Sequence, residues 1–150
     1  ESLVEAASIG VRVPEPVAWV DRGAVIYRAW LVTKEIKGHR SLAELALSAS
    51  NSASLSEISK VLEELGRQVE LLIQNRLLHV DLHPGNVVVD QHGQVYILDF
   101  DKARKFTGGI RELRDQYLRR WRRAVIKHNL PDSLSENMCF HLKRDTLQLQ

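Results

Sequence analysis

A chain of 150 residues, 44% hydrophobic and 27% charged, has the size and composition of one compact unit, which excludes disorder, a fibrous repeat and a second full domain. The single cysteine, Cys139, excludes an internal disulfide and has no zinc-type Cys or His spacing around it, so a reducing, cytoplasmic setting is expected. No apolar run approaches the roughly 18 residues of a membrane span, the N-terminus has no basic segment leading into an apolar signal core, and the formal charge of +2 hides a cluster of ten Lys and Arg between Lys102 and Lys127, opposed there only by Glu112 and Asp115.

In chain order, Pro14 and Pro16 bracket an extended approach to two β-rich runs, Val17–Val20 and Ala24–Ile36, read as a hairpin turning at Asp21-Arg22-Gly23. Ser41 to Glu44 has the spacing of a capping box ahead of a short apolar helix. The polar stretch from Ser48 to Ser56 separates it from a second helix, for which Ser54 and Glu57 offer the cap. Ile58, Val61, Leu62, Leu65, Val69 and Leu72 recur at three- and four-residue steps and predict one buried face of that helix. Asn86–Asp90 and Gln94–Asp99 flank Gln91-His92-Gly93 as a second hairpin. A basic helix over Ile110–His128 carries the apolar stripe Leu113, Tyr117, Trp121 and Val125, and Ser133 to Glu136 offers a capping box for a last helix. Strands segregated from a helical mass define an α+β layout.

The segment His79-Val80-Asp81-Leu82-His83-Pro84-Gly85-Asn86, followed beyond the hairpin by Asp99-Phe100-Asp101, carries the chemistry. Phosphoryl transfer requires a carboxylate that orients the attacking hydroxyl and takes its proton, and oxygen ligands that hold Mg²⁺ against the phosphates. Asp81 suits the first task, and Asn86 and Asp99 suit the second, with a four-residue loop and a tight hairpin drawing them to one rim. An isolated Asp-x-x-x-x-Asn is a common turn, so the weight lies in the whole series. A competing reading makes His79, Asp81 and His83, which alternate along a strand, the ligands of a metallohydrolase; it leaves Asn86 and Asp99 without a role, and Pro84-Gly85 would end the strand.

This series resembles the catalytic and metal-binding segments of protein-kinase-like enzymes, and most closely the Kdo and lipopolysaccharide-core sugar kinases. Leu31 to Gly38, with Ser41-Leu42, resembles the hinge strand and following helix of that family. The resemblance implies Thr33 as gatekeeper and adenine hydrogen bonds to the backbone C=O of Lys34 and N–H of Ile36. Leu118, Arg120, Trp121, Arg123, Ala124 and Lys127 resemble the basic C-terminal helix of the Kdo kinases. It further implies a protein-kinase-like fold in which residues 1–36 are hinge strands and a remnant of the N-lobe and residues 37–150 form the mainly helical C-lobe. The Gly-rich loop and strand lysine of the family have no counterpart here, so the chain by itself is expected to be inactive.

With ATP and Mg²⁺ (or Mn²⁺) as cofactors, the resemblance implies a lipid-linked sugar acceptor of the Kdo-lipid A type. Asp101 replaces the usual glycine and no Ala-Pro-Glu follows, so only Lys102–Gly109 precedes the basic helix, too short a segment to dock a peptide. Arg119, Arg120, Arg122 and Arg123 are candidate acceptor ligands, and the same helix could touch the cytoplasmic face of the inner membrane. Nucleic acid is disfavoured because the charges ring a helix whose apolar stripe packs on the lobe. A RIO-like serine/threonine kinase and a non-catalytic pseudokinase are the alternatives. His79 and His83 are expected to be structural.

Overall fold

A computed structural model describes residues 2–22 and 28–144. The chain runs α1 (Ser2–Ser8), β1 (Pro16–Arg22), β2 (Arg28–Thr33), β3 (Arg40–Ser41), α2 (Leu42–Ser48) and α3 (Ser52–Gln74). It continues through β4 (Leu77–Leu78), a 3₁₀ turn (Pro84–Asn86), β5 (Val87–Val89), β6 (Val95–Ile97), β7 (Arg104–Lys105), α4 (Ile110–Lys127) and α5 (Ser133–Arg144). The strands form three small antiparallel sheets, β1-β2, β3-β5-β6 and β4-β7, so the chain is α+β with short sheets around a helical centre.

That centre is α3. Its six expected apolar residues are all buried, and they meet α2, α4 and α5 in one core with Leu42, Leu113, Trp121, Leu134 and Met138. Burial of such side chains contributes about 1.5–3 kcal/mol each before the entropy of ordering is subtracted. Helices α3 and α5 approach so closely at Gly66 that a β-carbon there would lie 2.8 Å from Cβ of His141. Gln68, also buried, ties the N-terminal segment to the sheet: its Oε1 accepts from Arg12 N–H at 2.9 Å and its Nε2 donates to Val95 C=O at 3.0 Å.

Local chemistry explains where the elements begin. Ser41 caps α2 as expected, with its Oγ accepting from Glu44 N–H and its own N–H donating to the Glu44 carboxylate at 2.8 Å. The cap of α3 is a correction: Asn51 Oδ1, not Ser54, accepts from Ser54 N–H at 2.9 Å, so the connection from α2 shrinks to three residues. Asparagine outranks serine only slightly as a cap, and the Ser-rich run offers several starts, which is why spacing alone selects the wrong one. Ser133 is likewise the first helical residue of α5 rather than its cap. In the first hairpin Asp21 and Arg22 pair with Ala29 and Arg28, so these two expected turn residues belong to the strand, while Gly23 lies outside the described residues.

Candidate active site

Strand β4 is two buried leucines held by β7, and the chain leaves it into the loop that carries Asp81. Three backbone groups just ahead of Asp81 are satisfied by side chains of α4. The Tyr117 hydroxyl donates to Leu77 C=O at 2.7 Å and accepts from His79 N–H at 2.8 Å; Arg120 Nη1 donates to Val80 C=O at 2.7 Å. Tyr117 is buried, and desolvation pushes its phenol above the usual range, so it stays a neutral donor. A buried ion pair, Arg114 Nη2 to both oxygens of Glu70 at 2.5 and 2.6 Å, ties α4 to α3 one turn earlier. Sequence reasoning placed Tyr117 on the apolar stripe without its hydroxyl role, and it missed Glu70, Arg114 and Gln68 altogether.

The loop is closed on itself by three further bonds. His79, fully buried, donates from Nε2 to Leu98 C=O at 2.8 Å, so in its neutral form the proton is on Nε2. Burial lowers its pKa below the ordinary value, outweighing the bond to Leu98 and the carboxylates of Asp99 and Asp81, which pull the other way. Leu98 N–H donates to Asn86 C=O at 2.8 Å, and Asn86 Nδ2 donates to Asp81 C=O at 3.0 Å. The chain segments that carry Asp81, Asn86 and Asp99 are thereby linked through His79 and Leu98. Because a carbonyl can only accept, the last bond fixes the amide of Asn86 and leaves its Oδ1 as the free acceptor.

Asp81 and Asp99 are exposed, and among the described residues neither carboxylate has a hydrogen bond or ion pair. Asp99 adopts φ 59°, in the left-handed region, at the residue that ends this strand connection. Two uncommitted carboxylates and an uncommitted amide oxygen are the kind of donors a hard cation takes, so the residues present fit Mg²⁺, which Asn86 and Asp99 could hold; Mn²⁺ shares the preference. The arrangement of a metallohydrolase does not form. His79 spends its Nε2 on a backbone carbonyl, residues 79–83 are not a strand, and no group of three His, Cys, Asp or Glu converges among the described residues. His83 instead caps the 3₁₀ turn, its Nδ1 accepting from Gly85 N–H at 3.1 Å.

Thr33 ends β2 half-buried. The N–H of Lys34 extends the hairpin by donating to Glu15 C=O at 2.8 Å, and its exposed ammonium pairs with the Glu15 carboxylate at 3.3 Å. Among the described residues neither Lys34 C=O nor Ile36 N–H is engaged. Gly38, at φ 61°, turns the chain beside Gln91 into β3, which pairs with β5, so this segment runs along the sheet whose far ends carry Asn86 and Asp99. On α4, Arg119, Arg122 and Arg123 are exposed and line a shallow depression with Ile126 and Lys127. Arg120 is set apart from them: it is half-buried and engaged with the loop backbone.

The pattern describing the Lipopolysaccharide kinase (Kdo/WaaP) family matches residues 1–139. A 3-deoxy-D-manno-octulosonic acid kinase of Stenotrophomonas maltophilia (strain K279a) is 34% identical over 120 residues, covering 77% of this chain and 43% of the relative. The proteins of the same description from Xylella fastidiosa (strain 9a5c) and Vibrio parahaemolyticus are 30% and 26% identical, covering 82% and 85% of this chain and 47% and 52% of their own lengths. The chain spans about half the length of the curated relatives it matches. With the family pattern running through the loop of Asp81, the hairpin and the basic helix, this chain belongs to the lipopolysaccharide kinase (Kdo/WaaP) family.

Proposed function

We propose that the full-length protein transfers the γ-phosphoryl group of ATP to a sugar hydroxyl of the Kdo and lipopolysaccharide inner core, on a protein-kinase-like fold. In this reading residues 1–36 supply hinge strands and residues 37–150 the lobe that carries the chemistry. The observation that carries it is the bond from Asn86 Nδ2 to Asp81 C=O, which holds a general base and a metal-holding amide in one loop while leaving Asp81, Asp99 and Asn86 Oδ1 uncommitted.

Asp81 orients the acceptor hydroxyl and takes its proton as the oxygen attacks phosphorus. Asn86 and Asp99 hold Mg²⁺, which when bound neutralises charge on the phosphates. The uncommitted Lys34 C=O and Ile36 N–H receive the adenine edge, beside Thr33. Arg119, Arg122 and Arg123 attract the anionic acceptor, and with exposed Ile126 this face suits peripheral contact with anionic lipid on the cytoplasmic side of the inner membrane; no helix among the described residues is long and apolar enough to cross a membrane.

The test gives the full-length protein labelled ATP with Kdo-lipid A in one reaction and with a protein mixture in another. Label in the lipid is expected; label in protein alone would replace the sugar acceptor with a protein one. Changing Arg119 and Arg122 together to Glu should raise the KM for the lipid acceptor and flatten its salt dependence.

A further inference from the structure

The turn after Asp81 forms the floor of a second groove. The groove is lined by His83 and Gly85, by Ala43 and Leu47 of α2, and by His128 and Leu130 just past α4. The rings of His83 and His128 face each other with centroids 5.7 Å apart. Lys127 and the carboxylates of Asp81 and Asp99 are the other charged groups within electrostatic reach of His83. Lys127 lines the basic depression rather than the groove, and acts on His83 through its charge.

Local bonding decides what His83 presents. Gly85 N–H donates to Nδ1, so the neutral ring must carry its proton on Nε2 and keeps that group as a donor. The ring lies across Gly85, where a β-carbon would be 3.0 Å from its Cε1, and is therefore held in place on both counts. The site thus combines a fixed N–H donor and a second imidazole beside exposed Leu47 and buried Leu130, with the ammonium of Lys127 within electrostatic reach.

We propose that this groove is the acceptor subsite, in which His83, His128 and Lys127 bind an anionic group of the sugar, carboxylate or phosphate, so that the neighbouring hydroxyl meets Asp81. The inference rests on the sugar-kinase reading and adds to it the residues that orient the acceptor. A neutral His83 donates from Nε2, and Lys127 contributes charge, so binding does not depend on protonating either ring.

The test uses the full-length enzyme at saturating ATP, as wild type, His83→Asn and His128→Ala. Asparagine retains an oxygen to accept from Gly85 N–H while removing the Nε2 donor. Three acceptors are compared: the intact lipid-linked sugar, the same molecule with its carboxylates capped as amides, and one with its phosphates removed. Each variant should raise the KM for the intact acceptor about tenfold while the KM for ATP moves less than twofold, and the acceptor lacking the recognised group should no longer distinguish variant from wild type. Transfer to lipid with unchanged acceptor KM in both variants overturns the subsite alone. Equal KM increases for all three acceptors overturn anion recognition, and label appearing in protein alone overturns the sugar-acceptor reading and the subsite together.

Discussion

Tyr117→Phe in the full-length protein removes one oxygen atom from the scaffold behind Asp81. The ring remains in the stripe with Leu113, Trp121 and Val125, so packing is preserved. What is lost is a donor to Leu77 C=O and an acceptor for His79 N–H, in a place where Tyr117 is 2% and His79 0% exposed. A buried polar group left without its partner costs about 1–3 kcal/mol, and two are orphaned here, so a loss of about 2–6 kcal/mol is expected. The same slack lets the chain from Leu77 to Val80 move Asp81, and a displacement of about 1 Å at a reacting group can lower turnover about 100-fold. Denaturant unfolding gives the first number, and kcat against KM for ATP gives the second, which should show kcat falling with little change in KM. Arg120→Ala should follow the same pattern, while Arg120→Lys, which keeps a donor near Val80 C=O, should recover part of kcat. A Tyr117→Phe protein with wild-type midpoint and kcat would refute the claim that α4 side chains position the loop.

Asp81→Asn should lower turnover by orders of magnitude with an unchanged unfolding midpoint, whereas Asp99→Ala should also raise the Mg²⁺ concentration needed for half-maximal activity; identical metal titrations would remove Asp99 from the metal site. Burial depresses the pKa of His79, and also of His83, below the ordinary 6.5, so the unfolded chain binds protons first as pH falls. The stability they contribute is therefore complete above about pH 6.5 and declines below it, and His79→Gln, which keeps a donor for Leu98 C=O, should flatten that slope in denaturant midpoints measured from pH 7 to pH 5. Gly66→Ala forces a methyl to within 2.8 Å of His141 Cβ and should cost about 1–3 kcal/mol through separation of α3 and α5; a neutral or stabilising result would mean the helices can part freely.

Elements that rest on periodicity or on a compact local signature were legible in the sequence. The face of α3 repeats over many residues, and the Ser41–Glu44 box carries both of its partners within one turn; of the candidate site, chain spacing singled out the loop from Asp81 to Asn86 that the Asn86 side chain closes. Choices among near-equivalent residues were not legible: Asn51 and Ser54 both cap helices well, and only the folded chain shows which one does. Nor were contacts made across the chain. Tyr117 reaches His79 over 38 residues and Arg114 reaches Glu70 over 44, and on a helix so rich in arginine nothing local distinguishes Arg114, which enters the core, or Arg120, which grips the loop, from Arg119 and Arg122, which face outward.

The left-handed backbone of Asp99 sets folding against activity at a single residue. An L side chain at φ 59° is held there at a cost that glycine escapes, so Asp99→Gly should relax the turn and raise the unfolding free energy by about 1 kcal/mol while removing the carboxylate proposed to hold the metal. Selection for robustness alone would drift toward glycine at this position. A library of variants sorted by heat resistance would accumulate that change, and one sorted by phosphoryl transfer would purge it.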